Sequence, residues 1–305
     1  MNTHHPASYL SALLLALAGT FLFSMKPILV KQVYLLGIDS SQLIALRMLF
    51  AGPVYLVIGC ILWRKNTQLH GLYKNNLLFI SGLGILGYYI ASFLDLWALQ
   101  YISAQLERVV LFCFPTIVVL LSRWVFNTPM PRNIWLILGL SYAGILLIFA
   151  HDMATLGDEV LFGSVLVFIS AVSFAIYTLW SKPLMTRVGS MMFTCLAMLS
   201  ASVVILLHFS FSHSFDELNV GTEALLWCAA IALFATVIPS FLVAEAINRM
   251  GPERTSVIGT CGPVITSMVA VFWLNEAFTL YHFAGLTMVM LAVWLMIKKP
   301  KSSPL

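Results

Sequence analysis

The chain has 305 residues, 61% of them hydrophobic and only 9% charged, with a formal net charge of +4. A soluble domain carries about 25% charged residues, and a water-facing surface this apolar is not tolerated by a monomer, so composition excludes an ordinary soluble domain and makes lipid the outer solvent. The basic residues stand at the ends of apolar runs and form no patch, which excludes nucleic acid as a partner.

A helix needs about 20 mostly apolar residues to cross a ~30 Å hydrocarbon core. Ten such runs follow one another, at 9–31, 40–63, 77–99, 103–126, 132–150, 160–181, 190–209, 224–247, 253–274 and 279–297. The first follows a segment, Met1 to Ser8, with two histidines but no Lys or Arg, and reads as a span and not as a signal peptide. The runs are too long for barrel strands and do not alternate. Connections are short, so no soluble domain is inserted. The expected class is an all-α integral membrane protein with ten transmembrane helices.

Lys and Arg concentrate in cytoplasmic loops. With the N-terminus inside, twelve of the sixteen basic residues fall there: Arg64, Lys65, Lys74, Arg123, Arg132, Lys182, Arg187, Arg249, Arg254, Lys298, Lys299 and Lys301. The opposite loops carry Asp152, Asp158, Glu159, Asp216, Glu217 and Glu223. Both termini are therefore expected in the cytoplasm, which requires an even number of spans. Short loops and the absence of an N-x-S/T site favour a bacterial inner membrane.

Along the first half, ionisable residues fall inside the expected spans: Lys26 in the first, Arg47 in the second, Asp95 in the third, Glu107 and Arg108 in the fourth. Each costs roughly 2.5–3.5 kcal/mol at mid-helix, so they must pair, line water or sit near an interface. Asp95 and Arg108, on neighbouring antiparallel spans, are expected at similar depth and able to form an ion pair. Glu107 and Arg108 lie ~100° apart around their helix and are expected to point apart. Lys26 could bind carbonyls freed by Pro27, and Glu107 could pair with Lys31. The third span adds Tyr88, Ser92 and Asp95 on one stripe; Gly82, Gly84 and Gly87 of the same span suit close helix packing. The sixth adds Ser170, Ser173 and Tyr177, and its serines equally suit helix–helix hydrogen bonding.

A shift of 148 residues superposes the fourth span on the ninth, with Val109 on Val257, Cys113 on Cys261, Pro115 on Pro263 and Asn127 on Asn275, and in the span before each, Ser92-Phe93-Leu94 falls on Ser240-Phe241-Leu242. Lys26-Pro27 recurs as Lys182-Pro183. Five spans per half is an odd number, so the halves, 1–150 and 151–305, are expected to be inverted repeats, an architecture common among secondary transporters. Pro115 and Pro263 should each kink a helix and free a carbonyl at the level of a cavity. Arg108, Phe112 and Pro115 share a face that maps onto Ser256, Thr260 and Pro263, so one half offers a guanidinium where the other offers hydroxyls. A pocket between these helices would suit a carboxylate or another anion.

The stretch Gly84 to Ile148 resembles EamA-type ten-helix carriers of the drug/metabolite transporter superfamily. The resemblance is carried by Ala98-Leu99, Ser103-Ala104, Pro115 and Gly139 in the first half, and by Gly251-Pro252, Pro263, Leu274-Asn275-Glu276 and Gly285 in the second. Glu276 stands at the family's acidic position, where the first half has Thr128. The resemblance implies a bundle that exports or exchanges small organic solutes without ATP or a cofactor. Lys26 and Arg47 look like the basic residues of the first two spans of such carriers.

The expectation is then a secondary transporter of a small metabolite such as an amino acid or related anion, with protons as coupling ion through Asp95 or Glu107. Its substrate-binding or coupling residues would be Lys26, Arg47, Tyr88, Asp95, Glu107, Arg108, Tyr177, Ser256 and Thr260. A broad exporter of cationic or lipophilic compounds is the alternative, with an acidic, aromatic-lined pocket. No metal-spaced His/Asp cluster, nucleophile motif or phosphate loop argues for an enzyme, and no metal is expected. The five cysteines, in apolar runs without C-x-x-C spacing, read as packing residues. Nothing in the sequence specifies an oligomeric state.

Overall fold

The computed structural model describes residues 6–66, 70–127, 134–250, 255, 258–259 and 261–297. Among them, eight helices are long and apolar enough to cross a membrane, two shorter apolar helices follow, and no strand is present. In chain order they are α1 (Pro6–Tyr34), α2 (Ser40–Lys65), α3 (His70–Gly84, continued by Ile85–Ile90 and Ala91–Ala98), α4 (Ala104–Leu111 and Phe114–Phe126) and α5 (Ile134–Leu156). Then come α6 (Glu159–Val188), α7 (Ser190–Ser212), α8 (Thr222–Ala232, continued by Leu233–Val237 and Ile238–Met250), α9 (Cys261–Leu274) and α10 (Leu280–Ile297). The end of the bundle at which α1 begins is called the near end, and the end at which it finishes the far end.

Local chemistry sets these boundaries. Asp39 starts α2 with a capping box: its carboxylate accepts from Gln42 N at 2.7 Å while its own N–H donates to Gln42 Oε1 at 3.0 Å. Ser103 starts α4 by accepting from Leu106 N at 3.0 Å. Asn127 ends α4 and Asn275 follows α9, both left-handed, with φ of 52° and 54°; asparagine tolerates that conformation at a helix end. These two residues are related by the 148-residue shift found in the sequence.

So are two irregularities. Residues Ile85–Ile90 of α3 and Leu233–Val237 of α8 are π-helical, and 148 residues separate their first members. In each, an amide reaches back five residues, Ala91 N to Leu86 O and Ile238 N to Leu233 O. Neighbouring helices supply extra donors. Ser173 donates to Leu86 O and Ser170 to Ala91 O, each at 2.8 Å. Beside the second, the Tyr55 hydroxyl lies 2.8 Å from Ser240 Oγ. The α6 serines thus act as interhelical glue.

Helix contacts repeat in the same way. α1 packs on α8 and α9 as α6 packs on α3 and α4; α2 faces α7, and α5 faces α10. Glycines permit the closest approaches. A Cβ at Gly144 of α5 or Gly285 of α10 would stand 2.5 Å from the other's carbonyl oxygen, and one at Gly84 would run into the Ala197 backbone. Gly82 faces open space. Large apolar side chains such as Leu78 and Phe211, both 88% exposed, cover the perimeter; lipid is their only compatible solvent. Cys113, Cys195 and Cys228 are buried packing residues, whereas Cys60 and Cys261 face outward.

Candidate functional site

A cavity of about 290 Å³ lies within the bundle. Its charged layer is made by Lys26 of α1, Arg47 of α2, Asp95 of α3 and Arg108 of α4. Tyr88 and Tyr177 form an aromatic wall, their hydroxyls 3.1 Å apart. The lining continues toward the near end through Ser181, Met185 and Thr255.

The charges are paired differently from the sequence expectation. Asp95 Oδ2 forms its ion pair with Lys26 Nζ, and Arg108 takes no part in it. Arg108 donates instead through Nη2 to the carbonyl of Phe23. Phe23 is four residues before Pro27, so this carbonyl has lost its helical donor to the proline ring. Arg108, and not Lys26, therefore satisfies the carbonyl that Pro27 frees. Glu107 also differs: its Oε2 lies 3.5 Å from Arg108 Nε, because two long side chains bend together despite their angular separation on the helix. Lys31 stands 3.9 Å from Glu276 Oε1 and does not reach Glu107.

Arg47 is the exception to pairing. It is 2% exposed, yet its Nε and Nη2 are buried with no hydrogen-bond partner among the described residues. A buried guanidinium left unpaired is costly, and this one faces the cavity. Asp95 Oδ1 and both oxygens of Glu107 are likewise buried with no donor from another group, and the two carboxyl groups stand close enough to share a proton. Glu107 is 0% exposed and lies behind the cavity wall, not on it.

Of the other expected site residues, Tyr88 and Tyr177 line the cavity. Ser256 and Thr260 lie outside the described residues, as does Thr128. The span that holds Pro115 is interrupted in its middle: α4 breaks at Phe112 and Cys113, and Pro115 is the second residue of the new segment. Its missing N–H costs nothing there, since first-turn amides have no helical acceptor. Pro263 lines the cavity as the third residue of α9. Sequence reading missed Tyr55 and the lining residues Thr20, Ser24 and Thr194. Only the match of Ser92 to Ser240 pointed toward the Tyr55 contact.

At the far end, polar contacts tie the start of α4 to α5 and to the segment after α9. Ala104 N donates to Glu276 Oε1 at 2.9 Å, Ser103 N to Asp152 Oδ2 at 3.3 Å, and Gln105 Nε2 to Ala277 O at 3.1 Å. Carboxylates at a helix N-terminus satisfy its free amides and complement its dipole.

A buried, charged cavity in a bundle with two related halves agrees with comparison to known proteins. The model of the EamA-like transporter family matches twice, over residues 10–150 and 161–298. The chain belongs to this family. The uncharacterized transporter YcbK of Bacillus subtilis (strain 168) is 26% identical over 280 residues, which cover 88% of this chain and 87% of that one. The uncharacterized transporter sll1319 of Synechocystis is 22% identical, covering 94% and 93%. A solved crystal structure at 16% identity superposes with a TM-score of 0.67 over 93% of this chain and 95% of its own, a likeness of fold. As an EamA-family protein the chain is a multi-pass membrane transporter.

Proposed function

We propose that this EamA-family protein is a secondary carrier of a small organic metabolite that bears a carboxylate, such as an amino acid or related anion, working by alternating access. The observation that carries the reading is Arg47, a buried guanidinium with unsatisfied donors facing a cavity. The wall holds three cations and one carboxylate. Even with Glu107 ionised behind Arg108, one positive charge remains in excess. A substrate carboxylate would supply the missing acceptor, and Arg suits it because a planar guanidinium can bind both oxygens. The aromatic wall would take the apolar part. At about 290 Å³ the cavity fits a small metabolite, near the bottom of the ~300–1,000 Å³ range of ligand pockets.

The proposed frame is ten spans in two inverted five-helix repeats, 1–150 and 151–305, with both termini on the cytoplasmic side of a bacterial inner membrane. The paired π-helical segments, the paired left-handed asparagines and the exchangeable helix contacts support it. In that frame the near end is cytoplasmic, the cavity lining runs inward, and the polar contacts at the far end would form the external gate. Glu107, buried beside Asp95, is the proposed proton carrier, with Asp95 held by Lys26 as the second candidate.

A second reading is export of lipophilic or cationic compounds, favoured by the aromatic residues Phe112, Phe114 and Phe174 beside the two tyrosines. A thermal-stability screen of the purified protein against a metabolite library separates the two. Stabilisation by amino acids or other carboxylates, lost in Arg47→Gln, supports the anion carrier. Stabilisation by lipophilic cations alone, retained in Arg47→Gln, supports the second reading.

A further inference from the structure

At the far end, α5 and α10 bring the adjacent pair His151 and Asp152 together with His282, 130 residues further along the chain. The Gly144–Gly285 contact lets the two backbones approach, and one or two turns beyond it these side chains meet. Asp152 and His282 are both 2% exposed, and the Nδ1 atom of His151 is buried without a hydrogen bond. Asp152 Oδ1 lies 3.7 Å from His151 Nδ1 and 3.6 Å from His282 Nε2. All three donor atoms fall within 4.8 Å of one another.

These separations are too wide for good N–H···O bonds, which centre near 2.9–3.0 Å. The two separations from Asp152 are close to what an ion between the groups would impose, and the two histidine nitrogens, within 4.8 Å of each other, would draw together on it. Around tetrahedral Zn²⁺ with bonds of about 2.0–2.2 Å, neighbouring donor atoms stand about 3.3 Å apart. The remaining atoms of two of the groups are already held. Asp152 Oδ2 accepts from Ser103 N, and His282 Nδ1 lies 3.0 Å from Thr279 Oγ1 and 3.3 Å from Thr279 N; the tautomer that frees Nε2 for an ion has Nδ1–H donating to Thr279 Oγ1. Outer partners of this kind orient metal ligands. Two imidazole nitrogens and one carboxylate oxygen make a donor set suited to Zn²⁺, with a fourth position free for water. His151, with its side chain 15% exposed, gives access from the far-end surface.

The geometry points to a divalent transition-metal site, of Zn²⁺ type, formed by His151, Asp152 and His282. It is separate from the charged cavity and stands whether or not the proposed substrate class is right. A bound ion would tie the last helix of one half to the last helix of the other, and through Ser103 to the start of α4.

The test uses full-length, tag-free protein in detergent, stripped with chelator and titrated with ZnCl₂ by calorimetry. His4→Ala and His5→Ala are included in every sample to remove other histidine donors near the N-terminus. One Zn²⁺ should bind per chain, with affinity reduced at least tenfold in His282→Gln and in Asp152→Asn. Zinc-edge absorption should show a first shell of nitrogen and oxygen near 2.0–2.1 Å with two imidazoles. His151→Gln, at the partly exposed ligand, supplies the same comparison if either buried variant fails to fold. No stoichiometric binding by the parent protein would overturn the proposal, and so would binding unchanged in the variants, or a first shell lacking two imidazoles. The three side chains would then be a polar contact between helices.

Discussion

Arg108 of α4 donates its guanidinium to the carbonyl of Phe23 in α1, the acceptor that Pro27 leaves without a helical partner. A proline in one helix is thus compensated by a charge on another, and the same charge faces the cavity. Arg108 consequently has a structural role as well as the proposed substrate role, and the two can be separated. Arg108→Ala should destabilise the protein by about 1–3 kcal/mol, the usual penalty for stranding a buried polar group. Pro27→Ala returns an amide to Phe23 O and should restore part of that loss in the double variant, with a coupling of about 0.5–3 kcal/mol. Unfolding in detergent measures both. Ligand stabilisation that stays lost after folding stability has been restored assigns Arg108 to substrate; full recovery makes it purely structural.

The glycines of α3 give a test of packing. Gly84 meets the Ala197 backbone, whereas Gly82 meets nothing within 4 Å. Gly84→Ala should lower stability by about 1–3 kcal/mol, as overpacking does, while Gly82→Ala should be neutral or slightly stabilising. Equal effects of the two in thermal unfolding would mean that α3 and α7 do not approach as described.

Glu107 is buried behind Arg108 and beside Asp95. Glu107→Gln keeps the shape and removes the titrating proton. Counterflow, which needs no coupling, should persist in liposomes, while accumulation driven by an imposed pH gradient should fall to the level of protein-free vesicles. Undiminished pH-driven accumulation would take the proton-carrier role away from Glu107.

Both termini should lie on one side of the membrane. Reporter fusions at the N- and C-termini should both be active in the cytoplasm; reporters on opposite sides would leave an odd number of crossings and remove the inverted repeat.

The broad architecture was legible because bilayer thickness demands long apolar runs, and ten were visible. The 148-residue shift was legible at Pro115 and Pro263 and at Asn127 and Asn275, where residue types carry backbone consequences. It extended further than the residues alone could tell, since the π-helical segments at Ile85–Ile90 and Leu233–Val237 bear no distinctive composition. The charged layer was legible as a set but not in its pairing. Depth along a helix places Asp95 beside Arg108 as plausibly as beside Lys26, and only the seat of α1 against α3 and α4 decides. His151, Asp152 and His282 were invisible as a group, because their meeting depends on a glycine contact between the fifth and tenth helices.

The central claim is that Arg47 holds the substrate's negative charge. Counterflow in proteoliposomes tests it most directly, with vesicles preloaded with a panel of apolar and acidic amino acids and, separately, lipophilic cations. Saturable uptake of at least one anionic or zwitterionic carboxylate is expected, reduced at least tenfold in Arg47→Gln and partly kept in Arg47→Lys, with both variants unfolding as cooperatively as the parent. Uptake that does not change on replacing Arg47, or that is confined to cations, would contradict the account.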